Sequence, residues 1–201
     1  AANINGHTLF DIFLFPTIIS SFLIKALMNG PMDDYVKTGV GSRGWGNARV
    51  KVSFVNKFEE ADQLFDSNDP WGDNKKDKRA QFFTIDHTKE TWVAGKPFQN
   101  IFENGYACIK WRNITKDRKE LAEGGTKYSS VDYPMFRTAD AYLMAAEAIL
   151  RGATGGTRAE ALEYVNEIRD RAYMSGKYGT GLSGRITDGQ LTMDFLLDER
   201  S

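Results

Sequence analysis

The stretch that most restricts what this chain can fold into is its last third, where Tyr133 to Leu150 is followed after a short break by Ala161 to Ala172. The first segment is dense in alanine (Ala139, Ala141, Ala145, Ala146 and Ala148), the residue with the best intrinsic helix propensity and almost no side chain. A helix lined with such small residues lets a neighbouring backbone come close, as in helical hairpins of the tetratricopeptide type. The break, Gly152 to Thr157, contains three glycines and ends in Thr157, three residues before Glu160. That is the spacing of a capping box, in which the threonine hydroxyl and the glutamate carboxylate each satisfy a backbone N–H at the helix start. Beyond it, Leu162, Val165, Ile168 and Ala172 recur at intervals of three and four and form one apolar stripe. The pattern predicts antiparallel helices over about 137–151 and 158–173, with Ala141, Ala145 and Leu162 buried between them.

The rest of the chain is more broken. Leu9 to Phe15 reads as a buried strand, and Thr38 to Gly46 as a glycine-rich loop around Trp45. Ser53 to Phe65 has Phe54, Phe58, Ala61 and Phe65 at helical spacing, which predicts a single amphipathic helix. Asp66 to Lys78 is a charged loop, flanked by expected short strands at Arg79 to Ile85 and Tyr106 to Trp111. Lys116 to Ser130 is polar and marks a boundary before the helical part. Ser175 to Ile186 carries four glycines and reads as a long connection. Thr187 with Gln190 repeats the capping-box spacing and is expected to open a last helix.

Several function classes find no support. A net charge of −1 supplies no electrostatic case for nucleic acid or an anionic membrane surface. The longest apolar run, Ile12 to Ile24, is interrupted by Pro16 and is too short to span a bilayer. Cys108 is the single cysteine and reads as core filler, while His7 and His87 stand apart, so neither a disulfide nor a metal cluster is expected. No nucleophile elbow, zinc-protease motif or phosphate-binding glycine loop is present, and no cofactor or catalytic residue is assigned. Carboxylates are plentiful, so a carbohydrate-cleaving pair remains a lesser alternative.

The motifs also resemble a family. Pro134, Phe136-Arg137 and the alanine-rich helix with Glu147, then Asn166, Arg169, Arg171 and Ala172, resemble the C-terminal half of SusD/RagB-like proteins. Phe58 to Asp62, Asp77-Lys78-Arg79, Gly105-Tyr106, Lys110-Trp111 and the terminal Asp198-Glu199-Arg200 are similar to further segments of that family. The resemblance implies a mostly α fold, with tetratricopeptide-type hairpins, irregular loops and a few short strands. On this reading 1–130 is a loop-rich middle region and 131–201 a helical region, together one incomplete domain cut from a longer chain. It further implies a non-catalytic lipoprotein on the outer membrane that captures a glycan or other nutrient and passes it to a TonB-dependent transporter. Its only membrane attachment would be a lipidated cysteine outside this sequence. A helical-repeat scaffold for protein interaction is the alternative.

For glycan capture the relevant side chains are aromatic, because a flat π face matches the C–H face of a pyranose while polar neighbours hold its hydroxyls. Trp45 leads the candidates, placed beside Arg43 and Asn47 in Ser42 to Asn47; a tryptophan folded back over the core is the competing reading. Trp71, between Pro70 and Gly72, is the second ligand-binding candidate. Trp92 has few convergent polar neighbours, and Trp111 alternates with Ile109 as a core residue would. Asp66, Asn68, Asp69 and Asp73 could offer oxygens to Ca²⁺, but without the glycine and terminal glutamate of an EF-hand they read as a solvated acidic loop. Glu147, Arg169 and Arg171 read as an ion-pair set that fixes a helix crossing, in preference to a catalytic carboxylate with basic partners.

Overall fold

The computed structural model describes residues 49–89, 104–110, 115–118, 134 and 136–200. The expected strand at Leu9 to Phe15, the Thr38 to Gly46 loop, and Trp92 and Trp111 lie outside the described residues. The chain divides into two compact units. One contains Ala1–Val55, Gln63–Trp71 and Gln81–Tyr133; the other contains Asn56–Asp62, Gly72–Ala80 and Pro134–Ser201.

Among the described residues the architecture is mostly helical, with five α-helices against one two-stranded sheet. Helices α1 (Val52–Val55) and α2 (Glu60–Gln63) are single turns. Strands β1 (Phe82–Phe83) and β2 (Ala107–Cys108) follow, and then the long helices α3 (Thr138–Leu150) and α4 (Arg158–Ala172) and the shorter α5 (Met193–Arg200).

Helices α3 and α4 form the expected hairpin. The Tyr142 and Tyr164 rings stack across it with centroids 5.4 Å apart, while Ile149 abuts Gly156 at the turn, so the two helices run antiparallel. Its start signal is realised in full. Thr157 Oγ1 accepts the Glu160 N–H at 3.2 Å, and Glu160 Oε2 accepts the Thr157 N–H at 2.7 Å. The core of this unit combines Leu143 and Ala146 from α3, Ala161, Val165 and Ile168 from α4, and Ile186, Leu191 and Leu196 from the segments that follow. The alanine face is rotated from its expected position: Ala146 is fully buried, Ala145 half-buried and Ala141 exposed, while Leu162 is only half-buried. The larger Leu143 turns inward, and with Ala146 it sets which side of α3 meets α4.

Helix α4 ends in a Schellman arrangement. The Ser175 N–H donates to Asp170 O at 2.8 Å and the Met174 N–H to Arg171 O at 3.2 Å, with Met174 in the left-handed region at φ +51°. The glycine-rich connection then folds back on the helix instead of looping outward. Gly181 donates its N–H to Met174 O at 2.7 Å, and a Cβ on Gly184 would come within 2.3 Å of the Tyr173 ring. Buried Asn166 fastens the strap, since its amide donates to Ile186 O at 3.1 Å and its side-chain oxygen accepts the Ile186 N–H at 2.7 Å. The Thr187–Gln190 box is present but caps a single 3-10 turn, Asp188–Gln190. The last helix begins later, after Thr192, whose hydroxyl accepts the Phe195 N–H at 3.1 Å.

The predicted helix over Ser53 to Phe65 is corrected to two separate turns, α1 and α2, with Ala61 exposed. Its phenylalanines and its acid have divergent partners. Phe54 meets Phe82 edge-on at 6.1 Å and Phe65 meets Phe83 at 4.7 Å, whereas buried Asp62 accepts the N–H groups of Lys76 and Asp77, each at 2.9 Å. Strands β1 and β2 pair antiparallel with Phe82 opposite Cys108 and Phe83 opposite Ala107, both shorter than expected. A turn with Asp86 at φ +54° follows β1, and Cys108 is half-buried on β2.

Candidate ligand-binding site

Of the four residues proposed to bind ligand, Trp45, Arg43 and Asn47 lie outside the described residues. Trp71 is described. It is half-buried and sits in a turn between Pro70 and Gly72, whose φ of +72° reverses the chain directly after the indole. The Arg118 guanidinium carbon lies 5.0 Å from the centroid of the Trp71 ring, a contact sequence reasoning missed because 47 residues separate the two.

Arg118 closes a turn in which its N–H donates to Thr115 O at 3.0 Å, and its side chain is exposed. Its φ of +61° places a non-glycine residue in the left-handed region, at a cost of about 1–2 kcal/mol. An exposed cation–π contact returns about 0.5–1 kcal/mol. The contact alone therefore does not offset the backbone strain that presents it. Chemically, the pair joins an aromatic surface to a fixed array of five N–H donors that carries no acceptor.

The acidic loop is organised by its own chain. Asp66 accepts the Asn68 N–H at 2.8 Å, and Asp69 donates its N–H to Asp66 O at 3.1 Å. In the other unit, the Lys75 ammonium donates to Asp62 O at 2.8 Å and to Ala80 O at 2.6 Å. Among the described residues no three His, Cys, Asp or Glu side chains converge on a common metal position.

The expected set of Glu147, Arg169 and Arg171 is corrected in its partners. Glu147 accepts from Arg151 at 2.8 Å and from Arg200 at 2.7 Å, while Arg169 pairs with Glu199 at 2.8 Å and Arg171 is exposed. Position along a helix shows which face a charge occupies and not which distant residue meets it. The hub is the terminal triplet on α5. Asp198 meets Lys57, Glu199 is held by both Arg79 and Arg169, and Arg200 meets Glu147. Arg79 is held in turn by Asp77 at 2.7 Å, and Arg169 lies over the Tyr173 and Phe195 rings at 5.3 and 5.5 Å. Three consecutive side chains thus connect α5 to α3, to α4 and to both earlier segments of their unit. Sequence alone offered a signal for this, the match of Asp77-Lys78-Arg79 and Asp198-Glu199-Arg200 to family segments, but not their pairing.

Electrostatics tie Glu147 to its arginines. Hydrogen bonding from Arg151, outweighing the cost of desolvation, and the Arg151 and Arg200 charges hold Glu147 below the usual carboxylate range. Burial opposes the charged Arg79 guanidinium, but the Asp77 hydrogen bond and the Glu199 and Asp77 charges more than offset it, so its pKa is raised. A carboxyl kept ionised by arginines is poorly suited to protonate a leaving group.

Two comparisons define what the chain resembles. The SusD family model matches residues 26–201. The chain is also 35% identical over 99 residues to the starch-binding protein SusD of Bacteroides thetaiotaomicron; the match covers 49% of this chain and 16% of that protein. The chain therefore belongs to the SusD family, and its mostly helical architecture accords with that membership. It spans only a small fraction of the length of the curated relative.

Proposed function

We propose that this chain is part of a non-catalytic cell-surface protein that captures a glycan, or another nutrient, and delivers it to a TonB-dependent outer-membrane transporter. The observation that carries the reading is the family match over residues 26–201, with a starch-binding relative among the proteins it resembles. The local chemistry is compatible with it. Trp71 offers an aromatic surface beside a strong hydrogen-bond donor, and the fold's central carboxylates are neutralised by arginines. Trp45, with Arg43 and Asn47, is the leading ligand contact, and Trp71 the second. Attachment to the outer membrane runs through a lipid anchor outside this sequence, and no catalytic step or cofactor is assigned.

Isothermal titration of the protein at its full natural length with neutral oligosaccharides tests the assignment. Trp45→Ala is expected to weaken binding by about 1–3 kcal/mol, the scale of a lost aromatic anchor, with the fold intact and no product formed. Unchanged affinity for an oligosaccharide that does bind rejects Trp45. Product formation rejects the non-catalytic assignment.

A further inference from the structure

We propose that Tyr142 and Tyr164 form an oxidative cross-linking site, at which one-electron oxidants join the two rings by a carbon–carbon bond and staple α3 to α4. The inference goes beyond the nutrient-capture reading and does not depend on it. The rings lie nearly parallel, at 11°, with centroids 5.4 Å apart across the hairpin. Carbon atoms touch at about 3.5–4.0 Å, so nearly parallel rings this far apart at their centres meet by being offset, edge over edge. Each ring packs against the core yet is only half-buried, so the pair is held in place and still meets solvent. Among the described residues neither hydroxyl has a hydrogen-bond partner. The other described tyrosines are placed differently. Tyr106 is 5% exposed, the Tyr178 hydroxyl donates to Glu167 at 2.6 Å, and the Tyr173 ring lies beneath Arg169 and against Gly184.

The chemistry needs an oxidant of the class that a haem peroxidase forms from hydrogen peroxide. Each phenol gives an electron to that oxidant and its hydroxyl proton to water, leaving a phenoxyl radical whose spin is shared with the ring carbons beside the oxygen. The two radicals couple at those carbons. The hydrogen on each joined carbon then leaves as a proton while another returns to the oxygen, which restores both phenols. The protein has lost H2, and the peroxide, having taken both electrons and both protons, ends as water. Rings already held together make the coupling intramolecular, which favours it over linkage between copies. The bond also lies well away from the turn at Gly152 to Thr157. It therefore adds a second covalent connection between the helices and restricts the unfolded chain, as a disulfide would.

The experiment treats dilute full-length protein with hydrogen peroxide and a haem peroxidase, followed by intact-mass measurement, peptide mapping and thermal unfolding. The variants are Tyr142→Phe, Tyr164→Phe and, as a control, Tyr178→Phe, each of which keeps the aromatic ring. The expected result is a monomer lighter by H2, a peptide pair joined at Tyr142 and Tyr164, and a melting temperature above that of the untreated protein. Either substitution within the pair should remove both the joined peptides and the rise in melting temperature, and Tyr178→Phe should leave them in place. Links among other tyrosines with none between Tyr142 and Tyr164, or oxygen addition without a link, overturn the site. Linked dimers in place of the lighter monomer show coupling between copies and overturn the staple. A bond between Tyr142 and Tyr164 that leaves the melting temperature unchanged overturns it as well.

Discussion

Met174 shows how a single backbone angle is left improvable. It takes the left-handed position after α4 that glycine usually fills, and its side chain is 42% exposed, so little burial is at stake. Met174→Gly should stabilise the protein by about 0.5–1 kcal/mol, the relief of the Cβ contact less the extra entropy glycine gives the unfolded chain. Urea unfolding measures it, and a lower midpoint would show that the methionine packs usefully. Glu199 is the opposite case. Its side chain is 5% exposed and holds Arg79 and Arg169, whose side chains are 31% and 15% exposed. Glu199→Gln keeps the shape and removes the charge, leaving Arg169 short of an anion and Arg79 with Asp77 alone, and should cost about 3 kcal/mol. A loss below 1 kcal/mol would mean that water already serves those arginines. The sequence suggested that Glu147 and Arg169 belong to ion pairs, and each does, though not with the other; the partners were hidden because Arg200 lies 53 residues from Glu147 and Glu199 lies 30 from Arg169.

At the scale of elements, the hairpin was legible because local rules agree with one another. Alanine content, the Thr157–Glu160 box and the apolar stripe all point to α3 and α4, and the box forms as read. The orientation of α3 was less accessible. Alanine occurs on several sides of it, and only contact with α4 decides that Ala146 is enclosed while Ala141 stays at the surface. Paired substitutions test that distinction. Ala146→Leu should destabilise by about 1–3 kcal/mol through overpacking, and Ala141→Leu by less than about 0.5 kcal/mol, both read by thermal unfolding. Equal effects would contradict the observed rotation. The failure of the Ser53 to Phe65 helix has a different origin, because its period was real but tertiary contacts prevailed. Phe54, Phe65 and Asp62 are each drawn to a separate partner, and a helix of this length is marginal without tertiary support.

At the scale of the whole molecule, acid should weaken the helical unit. Glu147, Glu160 and Glu167 have lowered pKa values, caused chiefly by hydrogen bonds from Arg151, from the Thr157 backbone and from Lys177. A carboxylate whose folded pKa lies below its unfolded value stabilises fully above about pH 4.3, and that contribution disappears as pH falls through the folded values. Unfolding midpoints should therefore be flat from neutrality to about pH 5 and decline below it; a rise on acidification would contradict the ion-pair description. The candidate site was only partly legible at this scale. Trp71 could be named from its loop, but Arg118 becomes visible only when the fold brings the two turns together.

The central claim is delivery of a captured nutrient at the cell surface. Its most direct test is gentle detergent extraction of native outer membranes followed by affinity purification of the full-length protein, with co-purifying proteins identified by mass spectrometry. Stoichiometric recovery of a TonB-dependent transporter is the predicted result. Recovery of the protein alone from that fraction, or its presence only in the cytoplasm, would contradict the account and favour a helical interaction scaffold.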